Sequence, residues 1–188
     1  IENAGTIEVT NAYGMQGTAS SGGTIINSGT IIVHENAAAI DGDANSSNSA
    51  SSNTTNTGDI VLTGATSTGV LIGRGDSFTN SGTISGSEGT AILVTEGNDG
   101  DSEESLSITL SGNSRVEGIF KLTEYSDITV TEDAIHQTVR LADDARNISN
   151  NSSLTIEQAD PSVGLEIASI ATSTGATTDI LMHSAGTC

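Results

Sequence analysis

NAGTI at residues 3–7, NSGTI at 27–31, NTGDI at 56–60 and NSGTI at 80–84 are near-copies of one pattern, and their spacing decides the fold. Self-similarity at a period of about 20–50 residues marks a chain built from stacked units, each unable to bury its apolar face alone. The four isoleucines are Ile7, Ile31, Ile60 and Ile84; continuing the phase reaches Ile108, Ile128, Ile156 and Ile180, with successive gaps of 24, 29, 24, 24, 20, 28 and 24.

In register, the residue before each isoleucine is small and polar: Thr6, Thr30, Asp59, Thr83, Ser107, Asp127, Thr155 and Asp179. Two residues after it the position is mostly apolar, as at Val9, Val33, Leu62, Leu110 and Val130. Such period-2 alternation predicts a short half-buried strand. Gly5, Gly29, Gly58 and Gly82 are expected to bend the chain into it. A second set of apolar triplets, 70–72, 91–93, 118–120, 138–140 and 165–167, predicts at least one further strand per repeat, and residues 132–146 read as strand with loop. Strands this short gain area only by stacking in parallel on the next repeat. The expectation is an all-β, right-handed parallel β-helix of about eight rungs, each adding about 4.8 Å along the axis.

Composition agrees with a narrow rod. Tryptophan is absent, only 2 Phe and 2 Tyr occur, and 26 Ser, 26 Thr, 14 Asn and 22 Gly make up nearly half of the 188 residues. Aromatics are dispensable where isoleucine and valine fill a thin interior. One domain spans 1–188, with the apolar-free stretches 41–58 and 95–105 expected as extruded surface loops. The net charge of −19 includes only five Lys and Arg residues, which excludes nucleic acid as a partner because phosphate binding needs clustered cations. The single cysteine, Cys188, permits no intramolecular disulfide. The chain starts inside a repeat and lacks a signal-peptide pattern, so a fragment of a longer protein is expected.

The NSGTI-type repeat in a chain rich in Ser, Thr, Asn and Gly and poor in cysteine resembles the passenger domains of bacterial autotransporters, the type V secreted proteins. The resemblance implies a rod displayed at the cell surface, on the extracellular face of the outer membrane, or secreted. Its contact with the membrane would run only through a C-terminal barrel that this sequence does not contain. It further implies an adhesin or self-associating segment without enzymatic activity or cofactor. Expected partners are a host cell-surface or matrix protein or glycan, or like passenger molecules, engaged through ladders of Asn, Thr and Asp. The alternatives are a carbohydrate-active β-helix enzyme and a passive stalk.

Candidate chemistry is sparse. GRGDS at 73–77 places Arg74, Gly75 and Asp76 at the spacing of an integrin-type ligand, against an ordinary glycine-rich turn. Asp99, Asp101 and Glu103 offer oxygens to Ca²⁺ but match no calcium-loop pattern, so a solvated acidic loop competes with a metal site. Hydrolysis would need two carboxylates about 5–9.5 Å apart. Asp127 and Asp179, in the same phase, are interrupted by Thr155. His34, His136 and His183 have no second His or Cys nearby in sequence. An ice-binding threonine array would be broken by Asp59, Asp127 and Asp179.

Overall fold

Short alternating runs separated by Gly, Asn and Ser fold into strands of two to six residues that wind into a parallel β-helix of three sheets. The structure is a computed structural model that describes residues 1–17, 23–42, 51–73, 75–95, 105–123, 125–162 and 164–181. In chain order, β1 (Glu2–Asn3), β2 (Thr6–Val9) and β3 (Tyr13–Gln16) found sheets A, B and C. On these lie β4 (Thr24–Asn27), β5 (Thr30–Val33) and β6 (Ala38–Asp41), then β7 (Asn53–Asn56), β8 (Asp59–Leu62) and β9 (Thr68–Ile72). The cycle continues with β10 (Ser77–Asn80), β11 (Thr83–Ser85), β12 (Thr90–Val94), β13 (Leu106–Leu110), β14 (Arg115–Val116) and β15 (Ile119–Lys121).

Beyond this point no described residue forms a strand of sheet B. The remaining strands alternate between A and C: β16 (Ser126–Val130), β17 (Gln137–Leu141), β18 (Ala145–Asn150), β19 (Ser153–Gln158), β20 (Ile167–Thr172) and β21 (Thr177–Leu181). A three-sided rod thus becomes a two-sheeted one. Every pairing is parallel, as strands repeating in the same direction require.

The sequence phase needs correction here. Ile7, Ile31, Ile60 and Ile84 do stack in sheet B, but the residue above Ile84 is Val116. Ile108 and Ile128 belong to sheet A, while Ile156 and Ile180 belong to sheet C. All three sheets use the same isoleucine alternation, so a gap near 24 residues does not reveal which face the chain has reached. The apolar-free stretch 41–58 also contains a strand, β7, whose Thr54 and Asn56 point inward. Residues 43–50 and 96–104, the middles of the two expected loops, lie outside the described residues.

Inward positions form axial columns. In sheet A, Ile25, Thr54, Phe78, Ile108, Ile128 and Ile148 succeed one another. The two phenylalanines, Phe78 and Phe120, are wholly buried.

The corner between sheets A and B explains the motif. Asn27, Asn56 and Asn80 are fully buried, and each side chain donates from Nδ2 to the next: Asn3 to Asn27 Oδ1, Asn27 to Asn56 and Asn56 to Asn80, all at 2.8 Å. Each amide also donates to the carbonyl two residues on, at Gly5, Gly29, Gly58 and Gly82. This zipper satisfies buried polar groups at a bend where the backbone ladder cannot. The glycines are there for close approach: a Cβ on Gly29, Gly58 or Gly82 would fall 2.0–2.1 Å from the carbonyl oxygen of the glycine one coil before. Among these, none has a left-handed φ.

Candidate functional site

The corner from sheet C back to sheet A carries the RGD turn. Arg74 lies outside the described residues. Gly75 has a φ of 76°, the left-handed conformation that glycine accommodates without strain. Asp76 is 3% exposed; its Oδ1 accepts from Ser52 N at 2.7 Å and its Oδ2 from Gly73 N at 2.9 Å. Its carboxylate thereby ties this turn to the coil before it, and a substitution at Asp76 is first a change in corner stability. The weak calcium candidates Asp99, Asp101 and Glu103 lie outside the described residues. Among the described residues no group of three or more His, Cys, Asp or Glu side chains comes together as a metal site.

Asp59, Asp127 and Asp179 stand on sheets B, A and C, so they share no column. The asparagines of the repeat motif are in the interior, where no partner reaches them. What faces outward on sheet A was missed in the sequence. Thr55, Thr79, Thr109, Thr129 and Ser149 align coil upon coil as one hydroxyl column. Beside it, two residues earlier in each strand, runs a second column of Asn53, Ser77, Ser107, Asp127, Asn147 and Ser169.

The second column is tied along the axis. Ser77 Oγ donates to Asn53 Oδ1 at 2.5 Å, Asn147 Nδ2 to Asp127 Oδ1 at 2.9 Å, and Ser169 Oγ to Asn147 Oδ1 at 2.6 Å. Arg146 grips Asp127 with two nitrogens, Nε at 2.9 Å and Nη2 at 2.6 Å. Burial disfavours the charge on Asp127, but the hydrogen bonds from Arg146 and Asn147 and the guanidinium charge outweigh it, holding the carboxyl below the usual aspartate range. The signal available in sequence was the alternation itself: NTTN, SFTN, SITL, DITV and NISN all carry a hydroxyl at the same outward step.

On another face, Glu8, His34 and Thr63 join three successive coils: His34 Nε2 lies 2.7 Å from Glu8 Oε1, and Nδ1 lies 3.0 Å from Thr63 Oγ1. The order hydroxyl, imidazole, carboxylate is that of a nucleophilic triad. Here, however, Thr63 Oγ1 also has Val33 O as an acceptor at 3.0 Å, so the hydroxyl is shared with the backbone of the coil below. The trio is a clamp across coils. His136 makes a similar bridge, 2.8 Å from Ser153 Oγ and 3.3 Å from Thr155 Oγ1. His183 lies outside the described residues.

No protein-family model matches the chain, and no match is found among curated proteins or solved structures.

Proposed function

We propose that this chain is a non-enzymatic adhesive or self-associating segment of an autotransporter-type passenger, displayed at or secreted from the cell surface. The observation that carries the reading is the outward face of sheet A, where two adjacent columns of hydroxyl, amide and carboxylate groups run coil upon coil. Strands in a sheet lie about 4.8 Å apart, so two such faces brought together can match group for group over their whole length. Each hydrogen bond formed in exchange for water contributes only about 1 kcal/mol, and repetition supplies the affinity. The same columns serve a host protein or glycan of matching polarity.

The net charge of −19 makes like rods repel, so association strengthens with ionic strength. The test uses the chain immobilised on beads, scored for clustering and for attachment to epithelial cells across a salt series. Thr79→Arg with Thr109→Arg replaces hydroxyls in the middle of the column without touching the core. A roughly tenfold loss of clustering or attachment with an unchanged melting temperature is expected. Clustering and attachment that ignore both substitutions, or their absence from the parent chain at every salt concentration, would sink the proposal.

A further inference from the structure

Where sheet B stops, the rod has a step, and the step is a groove. Its last strand, β14, has no strand above it, and the chain that follows β16 crosses this side as the turn leading into β17. The edge is closed by a side chain: Gln137, 2% exposed, donates from Nε2 to Ser114 O at 2.8 Å and to Ile135 O at 2.9 Å. Between the end of sheet B and the face of sheet C a cavity of about 410 Å³ remains, bordered by Arg115, Val116, Gly118, Ile135 and Arg140 among others. That volume falls in the range of small-ligand sites, about 300–1,000 Å³.

Two features set this groove apart from the rest of the surface. The chain has five Lys and Arg residues against 24 acids, and two of the five, Arg115 and Arg140, face this one cavity, with His136 beside them. Among the described residues the exposed large apolar side chains are Ile1, Tyr13, Ile135, Ile180 and Leu181, and only Ile135 lies away from the first and last coils. Two arginines and an apolar patch lining one cavity are an unusual feature on an acidic rod.

The guanidinium groups are held loosely. Arg115 Nη2 lies 2.7 Å from Glu117 Oε1, but the side chains are 68% and 40% exposed, and such pairs contribute under about 1 kcal/mol. Arg140 Nη1 donates to Ser87 O at 3.1 Å, and its Nε is 3.7 Å from Glu157 Oε2. A guanidinium has five N–H donors and binds a carboxylate through two of them at once. A ligand carboxylate therefore competes with Glu117 for Arg115 and adds to the bonds Arg140 already makes.

We propose that this groove binds a carboxylate-bearing saccharide. The acid group sits between Arg115 and Arg140, an apolar face of the sugar ring covers Val116 and Ile135, and ring hydroxyls meet Ser87 and Thr138 along the walls. Peptide is disfavoured because strand addition, the mode an open sheet edge offers, is blocked by Gln137. The proposal stands independently of the sheet A face, which lies on another side of the rod.

The whole chain is titrated by NMR or calorimetry with a hyaluronan tetrasaccharide, its carboxyl-reduced form, a sulfated chondroitin tetrasaccharide and a tetraglutamate peptide. Saturable binding of the hyaluronan fragment with a dissociation constant on the order of 0.1–1 mM is expected, with none for the reduced form. Arg115→Gln and Arg140→Gln each weaken it about tenfold, whereas Glu117→Gln tightens it several-fold by releasing Arg115. A purely structural role for these surface residues does not produce that opposed pair of effects. The proposal is overturned by absence of saturation up to about 10 mM, by equal binding of the reduced form, by tighter binding of the sulfated fragment or the peptide, or by weakening in Glu117→Gln.

Discussion

Residues 2–121 and residues 126–181 make the same kind of rod in two ways. In the first four coils the A-to-B corner is an asparagine followed two residues later by a glycine, and a B strand follows each. Above Asn80 the column is continued by Leu110 and then Val130, which bring no amide to the bend, and by the buried Asn150, which has Ser152 where the earlier corners have glycine. Asn80 passes its hydrogen bond sideways to Ser114 Oγ at 2.8 Å, and sheet B ends one strand later. The coil shortens with it: register partners in sheet A are 24 residues apart at Asn56 and Asn80 but 20 apart at Asp127 and Asn147. Sheet B is thus built where asparagine and glycine recur together at the corner, runs one strand past the last such pair, and is not restarted by the asparagine alone at Asn150.

The strongest way to break the three-sided part is Gly58→Ala, because the added Cβ would lie 2.0 Å from Gly29 O, backbone that cannot yield without moving a whole coil. Thermal or denaturant unfolding should show a loss of about 3 kcal/mol or more. Next comes Asn56→Leu, which gives the three-sided part the corner chemistry of the two-sheeted part. It leaves Asn27 Nδ2 and Asn80 Oδ1 without their ladder partner in the interior, a cost of about 2–3 kcal/mol by the same measurement. Near-neutral behaviour of this variant would show that the zipper does not hold the corner.

A smaller effect belongs to the two-sheeted part. Asp127→Asn removes the partner of Arg146, half-exposed on sheet A, and should cost about 1 kcal/mol or less. The sign with pH follows from the depressed carboxyl. Folded Asp127 titrates below its unfolded value, so the contribution is present above the ordinary aspartate range and is lost as pH falls through the folded value. A carboxyl-detected NMR titration that placed Asp127 at or above ordinary aspartates would contradict this. Smallest of all is Gly5→Ala, the same motif position as Gly58, where a Cβ would meet only Asn3 Oδ1 at 3.9 Å. A change under about 0.5 kcal/mol is expected, and the contrast between the two glycines isolates coil-to-coil contact from any need for backbone freedom.

Much of the fold was legible because its signals are local. The NSGTI period, the alternation around Ile31 or Ile60 and the lack of aromatics all point to stacked parallel strands. The short gap between Ile108 and Ile128 spans a coil that still holds β14 and β15, so spacing did not mark where sheet B ends. Less was legible of the surfaces. Asn27 and Asn56 are polar, and polarity suggested an outward ladder; they are buried because each one's donor and acceptor are met by its neighbours in the coils before and after. Thr55 sits in a run of Asn, Ser and Thr that looks like loop, and only its register with Thr79 makes it part of a column. Asp76 showed the reverse: a motif that reads as an exposed ligand has its carboxylate committed to Ser52 and Gly73.

Residue order alone makes this chain an all-β repeat with a thin aliphatic interior and an acidic exterior. Those properties depend on residue type and near-neighbour alternation, which the chain carries wherever it goes. The three-dimensional arrangement set the number of sides, the burial of the asparagines, the two hydroxyl and amide columns, and the placement of Arg115 and Arg140 on one groove. Each of these depends on which residues one coil sets above another, and coils of unequal length shift that registry in a way no single repeat records.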